Sequence, residues 1–396
     1  MATTQTLTSG AEYVYSDSTD QTDGARKRIC SDIIYSQDPT DLPLRDYFGG
    51  YSKLKVESIA FDHVEDKRPP INTTMGTADG SHWNLTTHTS LPVTDGDVFR
   101  AGDIILTKMG ELLVVASIST NDITVYGRGD LGSTESTANT TSDALYIVGN
   151  AQLEGYTYGA DVRFYTRPSK TQYTMIFDDS ISVSKSYEAV PKFGIKSEIA
   201  HQLEMKLTRQ AILFERACLY SNPNAGTLEG TASHPRTLGG IIGKGSTAAN
   251  INIQTNTTDL SSATLTEDHI NTEMQAIYDA GGKPDTIMCN SFNKKTISDF
   301  LLPYRRTDFD DKKYGGVVSS YENDFGIVQV LLNRYMLQSD IVILPKKNFS
   351  MGALRPFSVI DLPDNADKHM KTIVGELSCL LVDEEHSSYV YNTATS

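Results

Sequence analysis

The residues that mark the common catalytic and metal-binding classes are scarce or wrongly spaced in this chain of 396 residues. Its four cysteines, Cys30, Cys218, Cys289 and Cys379, are far apart and form no C-x-x-C pair, which argues against a disulfide framework or a thiolate zinc site. Most sit in apolar surroundings, where a reduced thiol packs as a small hydrophobe. The eight histidines are dispersed. H-E-x-x-H and G-x-S-x-G are both absent, which removes the zinc-protease and serine-hydrolase signatures. No apolar run approaches the roughly 18 residues that cross a bilayer. MATTQTLTSGAEYVYSDST shows no basic stretch followed by an apolar one, so no secretion signal is expected and folding in a cytoplasm follows. Positive charge is also short. With 35 Lys and Arg against 50 Asp and Glu, the formal charge of −15 argues against wrapping nucleic acid, which depends on neutralising phosphates.

Several short motifs invite a chemical reading that their surroundings oppose. Asp324-Phe325-Gly326 spells the magnesium-binding tripeptide of protein kinases, and Gly127-Arg128-Gly129-Asp130-Leu131-Gly132 spells a glycine-rich loop after the strand-like ITVY. A kinase also needs a V-A-I-K lysine and an H-R-D loop, and neither is present. Asn323, Asp324 and Gly326 instead suit a hairpin turn. Arg128-Gly129-Asp130 is the integrin tripeptide, but flanking glycines favour a surface turn. LGGIIGKGST resembles a phosphate loop, yet its first glycine is misplaced and Gly245 stands where Ser or Thr must follow Lys244. Asp308, Asp310, Asp311, Glu384 and Glu385 lack the D-x-D-x-D-G calcium loop and read as solvated charge. No catalytic residue, cofactor or metal is expected, and the work of the chain falls to its surfaces.

The order of parts is more informative. Residues 1–50 are polar with scattered aromatics and one short helical candidate, ARKRICSDIIY, with Ile29, Ile33 and Ile34 on one face; this reads as an arm lying on something else. From 51 to 177 nothing has helical period. DIILTKM, ELLVVASIS, DITVYG and ALYIVGN alternate with turns at Gly102, Gly110 and Asn121-Asp122, so 92–150 reads as a compact antiparallel β unit carried on a long hairpin. A long helix then follows, with Ile195, Ile199, Leu203, Leu207, Ala211, Phe214 and Cys218 at spacings of three and four, ended by Asn222-Pro223. Beyond it, helices alternate with strands: LTEDHINTEMQAIYDAGG capped by Thr266, the buried strand TIMCN, the helix SFNKKTISDFLLPY, and strands in GGVVSSYE, IVQVLLNRYM, DIVILPKK, RPFSVIDL and KTIVGELSCLLVDEE.

In this order the chain resembles the tailed-phage major capsid proteins of the Hong Kong 97-like fold, in the branch whose extended loop carries an inserted β subdomain. ITVYGRGDLGSTE, VGNAQLEGY, YTMIFDDSISVSKSYEAV, TLGGI, YGGVVSSYENDFGIVQVLLNRYM and LRPF carry the likeness, which extends over about 25–390. The resemblance implies an α+β fold with a spine helix at 193–220. It implies an arm at 1–50 along a neighbouring subunit, an extended loop at 51–170 with the inserted subdomain at about 92–150, and a peripheral domain at 171–235. An axial domain at 236–366 and strands at 367–396 returning to the peripheral domain complete it. The implied function is a non-enzymatic head protein self-assembling in the host cytoplasm into pentamers and hexamers of an icosahedral virion shell. Its implied partners are scaffolding, portal and decoration proteins and enclosed double-stranded DNA, with no membrane. Arg68 and Trp83 on the loop, and Glu188, Arg209 and Arg216 around the spine, are the expected subunit contacts. The loop lysines Lys53, Lys55 and Lys67 have no evident crosslinking partner. Alternative readings are the shell of a cellular nanocompartment, a β-rich receptor- or glycan-binding module, and a metal-dependent enzyme using Asp324.

Overall fold

The computed structural model describes residues 41–66, 70–76, 88–134, 142–155, 167–190, 197–223, 229–242, 253–300, 320–363 and 366–394. The helical candidate at 25–35, Arg68, Trp83, Lys67, Lys244, Gly245 and the Asp308–Asp311 run lie outside them. Two compact units divide the chain, one formed by Met1–Phe61 with Thr171–Ser396 and a second by Asp62–Lys170.

Helix α1, Pro43–Phe48, and the two-residue strand β1, Leu54–Lys55, come first. Strand β2, Ala60–Val64, leads to β3, Asn72–Thr74, β4, Ser90–Pro92, β5, Asp103–Thr107, β6, Leu112–Ser119, β7, Asp122–Val125, and β8, Ala144–Asn150. The chain comes back through β9, Ser169–Tyr173, into β10, Met175–Ser184, then α2, Lys185–Ala189, and α3, Glu198–Tyr220. A short β11, Thr257–Asp259, precedes α4, Glu267–Asp279, β12, Thr286–Cys289, and α5, Ser291–Phe300. Strands β13, Ser320–Asn323, β14, Gly326–Leu332, β15, Ile341–Leu344, β16, Phe349–Leu362, β17, Lys368–Leu381, and β18, Ser388–Tyr391, finish the order.

Two sheets organise the first unit. The four-stranded sheet runs β1-β16-β17-β10 and carries α3 on one face. Strand β10 shows why: Phe177, Ile181 and Val183 are buried while Asp178, Ser180 and Ser182 alternate outward, the period of a half-buried strand. The six-stranded sheet runs β11-β18-β15-β12-β14-β13. Its central strands TIMC and IVIL are buried at every position, as a sheet covered on both faces requires. Ile287, Cys289, Ile341 and Ile343 pack into one core with α4, whereas Met288, Val342 and Leu344 join the core that holds Phe177, Phe214 and Phe349. Thr266 caps α4 through the His269 amide, as its sequence predicts, and Gly281 follows at φ +91°. The chain does not pass from one sheet to the other at 366–367. Strand β16 pairs with β17 over most of its length, and β18 returns to the six-stranded sheet beside β15.

The second unit holds a six-stranded sheet, β3-β8-β5-β6-β7-β4, around its own core of Phe99, Ile105, Leu113, Val115, Ile123 and Leu145. The expected turn falls between β6 and β7, where Thr120 has φ +51° ahead of Asn121. Strands β2 and β9 pair as a two-stranded ribbon.

The spine helix departs from its predicted form at two points. Its described part starts at Glu198, capped by Ser197, while 193–196 lie outside the described residues. Leu207, on the predicted apolar stripe, is 40 % exposed, and Gln210 and Glu215 are buried instead at 4 % and 2 %. The buried face is therefore set by what the helix packs against as well as by its apolar spacing.

Candidate assembly surfaces

Helix α3 carries most of the residues expected to meet a neighbour, and both of its ends are capped. At its N-terminus the Ser197 hydroxyl accepts the Ala200 amide, and a carboxylate oxygen of Glu188 accepts the amide of Glu198 at 3.2 Å. A negative group there favours the positive end of the helix dipole. At the other end the amides of Ile241 and Ile242 donate to the carbonyls of Cys218 and Leu219, both at 2.8 Å. These carbonyls would otherwise have no helical partner. Gly240 allows that approach, since a Cβ there would stand 2.9 Å from the Ala217 carbonyl oxygen. The TLGGI phrase is thus a helix cap. Its amides at 240–242 already donate to main chain, which leaves them unable to cradle a phosphate.

Burial of Glu215 follows from helix α1. Leu44 and Phe48 insert into the core beside Phe349, and the Leu44 amide donates to Glu215 Oε1 at 2.5 Å. Asn333 Nδ2 approaches the same oxygen at 3.4 Å, and Oε2 is buried without a partner. Burial pushes this carboxyl up to about 7, against the lowering effect of the Leu44 hydrogen bond and with Asp46 and Asp41 raising it further. Ahead of α1, Asp41 pairs with Arg334 at 2.9 Å and its carbonyl accepts the Tyr335 hydroxyl. Burial also raises the Cys218 thiol well above its usual range and the Cys289 thiol to about 12, so both are packing groups rather than nucleophiles.

The predicted contact residues occupy different settings. Arg209 is 69 % exposed and reaches Asp179 at 4.0 Å, whereas Lys206 bonds Asp179 at 2.6 Å. Arg216 is exposed on the same side of α3, seven residues on. Glu188 caps α3, as above. Among the loop lysines, Lys53 donates to the Phe349 carbonyl at 3.4 Å and Lys55 pairs with Glu57. Sequence reasoning missed Glu215, Gln210 and Lys206 as interior or edge-facing groups, because their partners lie in distant parts of the chain.

The deceptive motifs resolve into structure. Arg128 and Glu111 form a bidentate ion pair at 2.8 Å, with side chains 1 % and 0 % exposed, and Glu111 also accepts the Gly129 amide at 3.0 Å. The arginine of the RGD tripeptide is thus inside the fold, unable to reach a receptor. Asp324 is exposed in the two-residue turn between β13 and β14, where Asn323 pairs with Gly326 and the Asn323 side chain accepts the Phe325 amide at 3.1 Å. Among the described residues, no three His, Cys, Asp or Glu side chains are grouped to hold a metal ion.

The model of one family, the SU10 major capsid protein, matches residues 5–395. The chain belongs to that family. Among solved structures, the capsid of an empty GTA particle is similar at a TM-score of 0.50 and 12 % identity, covering 96 % of this chain and 100 % of that one. A structure from Mycobacterium phage Bobi is similar at 0.45 and 9 %, covering 94 % and 97 %. The holo-SrpI encapsulin complex from Synechococcus elongatus is similar at 0.40 and 9 %, covering 58 % and 78 %. No curated protein matches the chain. The fold is α+β and Hong Kong 97-like, and the chain is a phage major capsid protein, a structural component of a shell built by self-association.

Proposed function

We propose that this capsid protein forms the icosahedral head of a tailed phage as pentamers and hexamers, assembling in the host cytoplasm around packaged double-stranded DNA. The observation that carries the reading is the match of the capsid family over residues 5–395. The physics of the parts agrees. The two-stranded ribbon β2–β9 is the kind of element that is marginal alone in water and gains from a neighbour. Repeating one modest contact around a ring holds each subunit through many partners at once. Met205 and Leu213, 45 % and 38 % exposed, alternate with Arg209 and Arg216 along the outer side of α3, a mixed apolar and basic stripe suited to cover by an adjacent subunit. Arg68, Trp83 and Glu188 are further subunit contacts in this reading. The net charge of −15 suits a wall that encloses DNA without sequence-specific binding. Scaffolding, portal and decoration proteins would complete the particle, and no step requires catalysis or a cofactor.

The test is negative-stain electron microscopy with size-exclusion chromatography of the expressed chain, alone and with the other head proteins of its phage. Closed shells, tubes or ring-shaped capsomers support the proposal. A monomer under every salt condition and with every head protein present overturns it.

A further inference from the structure

The six-stranded sheet of the second unit is apolar on both faces, whereas an antiparallel sheet with one face on a core ordinarily turns polar residues outward. Ile105, Leu113, Val125 and Leu145 point into the core. Their neighbours in sequence point the other way, and strand pairing aligns them in two rows. The first row is Asn72, Tyr146, Leu106 and Leu112. The second is Gly149, Ile104 and Val114, extended by Tyr126, whose amide donates to the Val114 carbonyl at 3.0 Å. Val148, the extra residue of a bulge in β8, stands between the rows.

These rows carry no charged side chain. One residue past β5, Lys108 pairs with Asp143 at 2.8 Å, so that flank is balanced as well. A neutral face does not suit nucleic acid, whose binding depends on cations. Ile104, Leu106, Leu112 and Val114 are half-buried, while Tyr126, Tyr146 and Val148 are 58 %, 47 % and 61 % exposed. Together these three present on the order of 300 Å² of surface. A stable protein partner would cover about 800 Å² on each side, so the area fits a small ligand and falls short of a second chain. Three strand spacings and one row separate the two tyrosines, roughly 16 Å, a span for several linked rings. Tyrosine offers an apolar ring face together with a polar hydroxyl, and Asn72 adds an exposed amide. Sugars meet both demands, since a pyranose ring has a face of C–H groups and a rim of hydroxyls.

We propose that this outer face binds a neutral oligosaccharide, with Tyr126 and Tyr146 stacked on sugar faces and the Asn72 amide bonded to sugar hydroxyls. The negative face of each aromatic ring attracts the weakly positive C–H groups. Half-buried aliphatic side chains between the two tyrosines form the floor. Binding at one such face requires no shell, and a shell of many copies would multiply it through avidity.

The test applies the full chain to an array of neutral oligosaccharides of glucose, mannose, galactose, rhamnose and N-acetylglucosamine, with heparin and polyphosphate as charged probes. The wild type should bind at least one neutral oligosaccharide, with little change between low and high salt because no charge takes part. Tyr126→Ser with Tyr146→Ser should weaken that binding at least about tenfold, equivalent to about 1.4 kcal/mol. Circular dichroism and particle yield should stay as in the wild type, since both side chains are exposed. Tyr126→Phe with Tyr146→Phe keeps the rings and should retain most of the binding. No neutral oligosaccharide bound, binding confined to the charged probes, or binding lost in high salt overturns the proposal. So does a serine variant that binds as the wild type does, or one that loses particles and keeps its oligosaccharide, which would make the face a contact between copies. If the serine variant fails to fold, Val148→Asp decides in its place by setting a charge on the neutral face, and unchanged binding overturns the proposal. Whether the wild type forms a shell is read separately in micrographs.

Discussion

Replacing Glu215 by Gln isolates a pH-dependent weakness in how α1 is held. The carboxyl sits at about 7 in the fold and at an ordinary 4.5 when exposed. Between those values the folded chain keeps a proton that the unfolded chain has lost. Stability therefore falls as pH rises through this window, and the loss is complete above about 7. At about 1.4 kcal/mol per pH unit, the loss from this one group is on the order of 3 kcal/mol. In Glu215→Gln the side-chain oxygen still accepts the Leu44 amide, and no charge forms at any pH. The new NH2 lies where Oε2 was buried without a partner, which adds a pH-independent cost of about 1–3 kcal/mol. Urea unfolding followed by circular dichroism at several values from pH 4.5 to 8.5 should show the wild type ahead at low pH. The variant should draw level or pass it at pH 8, with the difference changing by about 3 kcal/mol. All other titrating groups are common to both proteins and cancel. A difference that stays constant within about 0.5 kcal/mol across the range would refute the argument.

Arg128→Ala should cost about 3–5 kcal/mol by leaving Glu111 charged and buried, seen as protease cleavage of the second unit at lower denaturant than in wild type. Asp324→Asn should change stability in urea by less than about 0.5 kcal/mol, as expected for an exposed turn residue, and leave assembly intact; a larger loss of stability, or loss of assembly, would refute the turn reading. Phe48→Ala should cost about 3–5 kcal/mol from the cavity left against Phe349, measured by the urea midpoint. Arg209→Glu with Arg216→Glu should lower particle yield in electron micrographs without altering the circular dichroism of the subunit, because both side chains are exposed on α3.

Local rules were enough where local physics decides. The alternation in MIFDDSISVS, the Thr266 cap and the turn at Asn323–Gly326 are all written within a few neighbouring residues. TIMC and IVIL, apolar but for Thr286, likewise form strands buried at every position. What escaped the sequence depends on distant partners. Glu215 is buried because an amide 171 residues earlier reaches it, and a polar residue on a helix gives no sign of that. Leu207 fits the helical period yet stays exposed, while Gln210 and Glu215 take places on the buried face. Arg128 looked like a surface turn residue because its partner, Glu111, sits in a different hairpin. Membership of the capsid family was legible only as an order of parts, carried by no single residue.

The ribbon β2–β9 has a consequence for how such chains can diverge. Both passages between the units occur in these two paired strands, whose backbones run about 5 Å apart. An inserted unit whose entry and exit are neighbours can be shortened to a simple turn, exchanged for another domain, or enlarged, while the strands that receive it keep their partners. Variation in the size of the inserted unit would be accommodated at this point of the chain without rebuilding the sheets on either side of it.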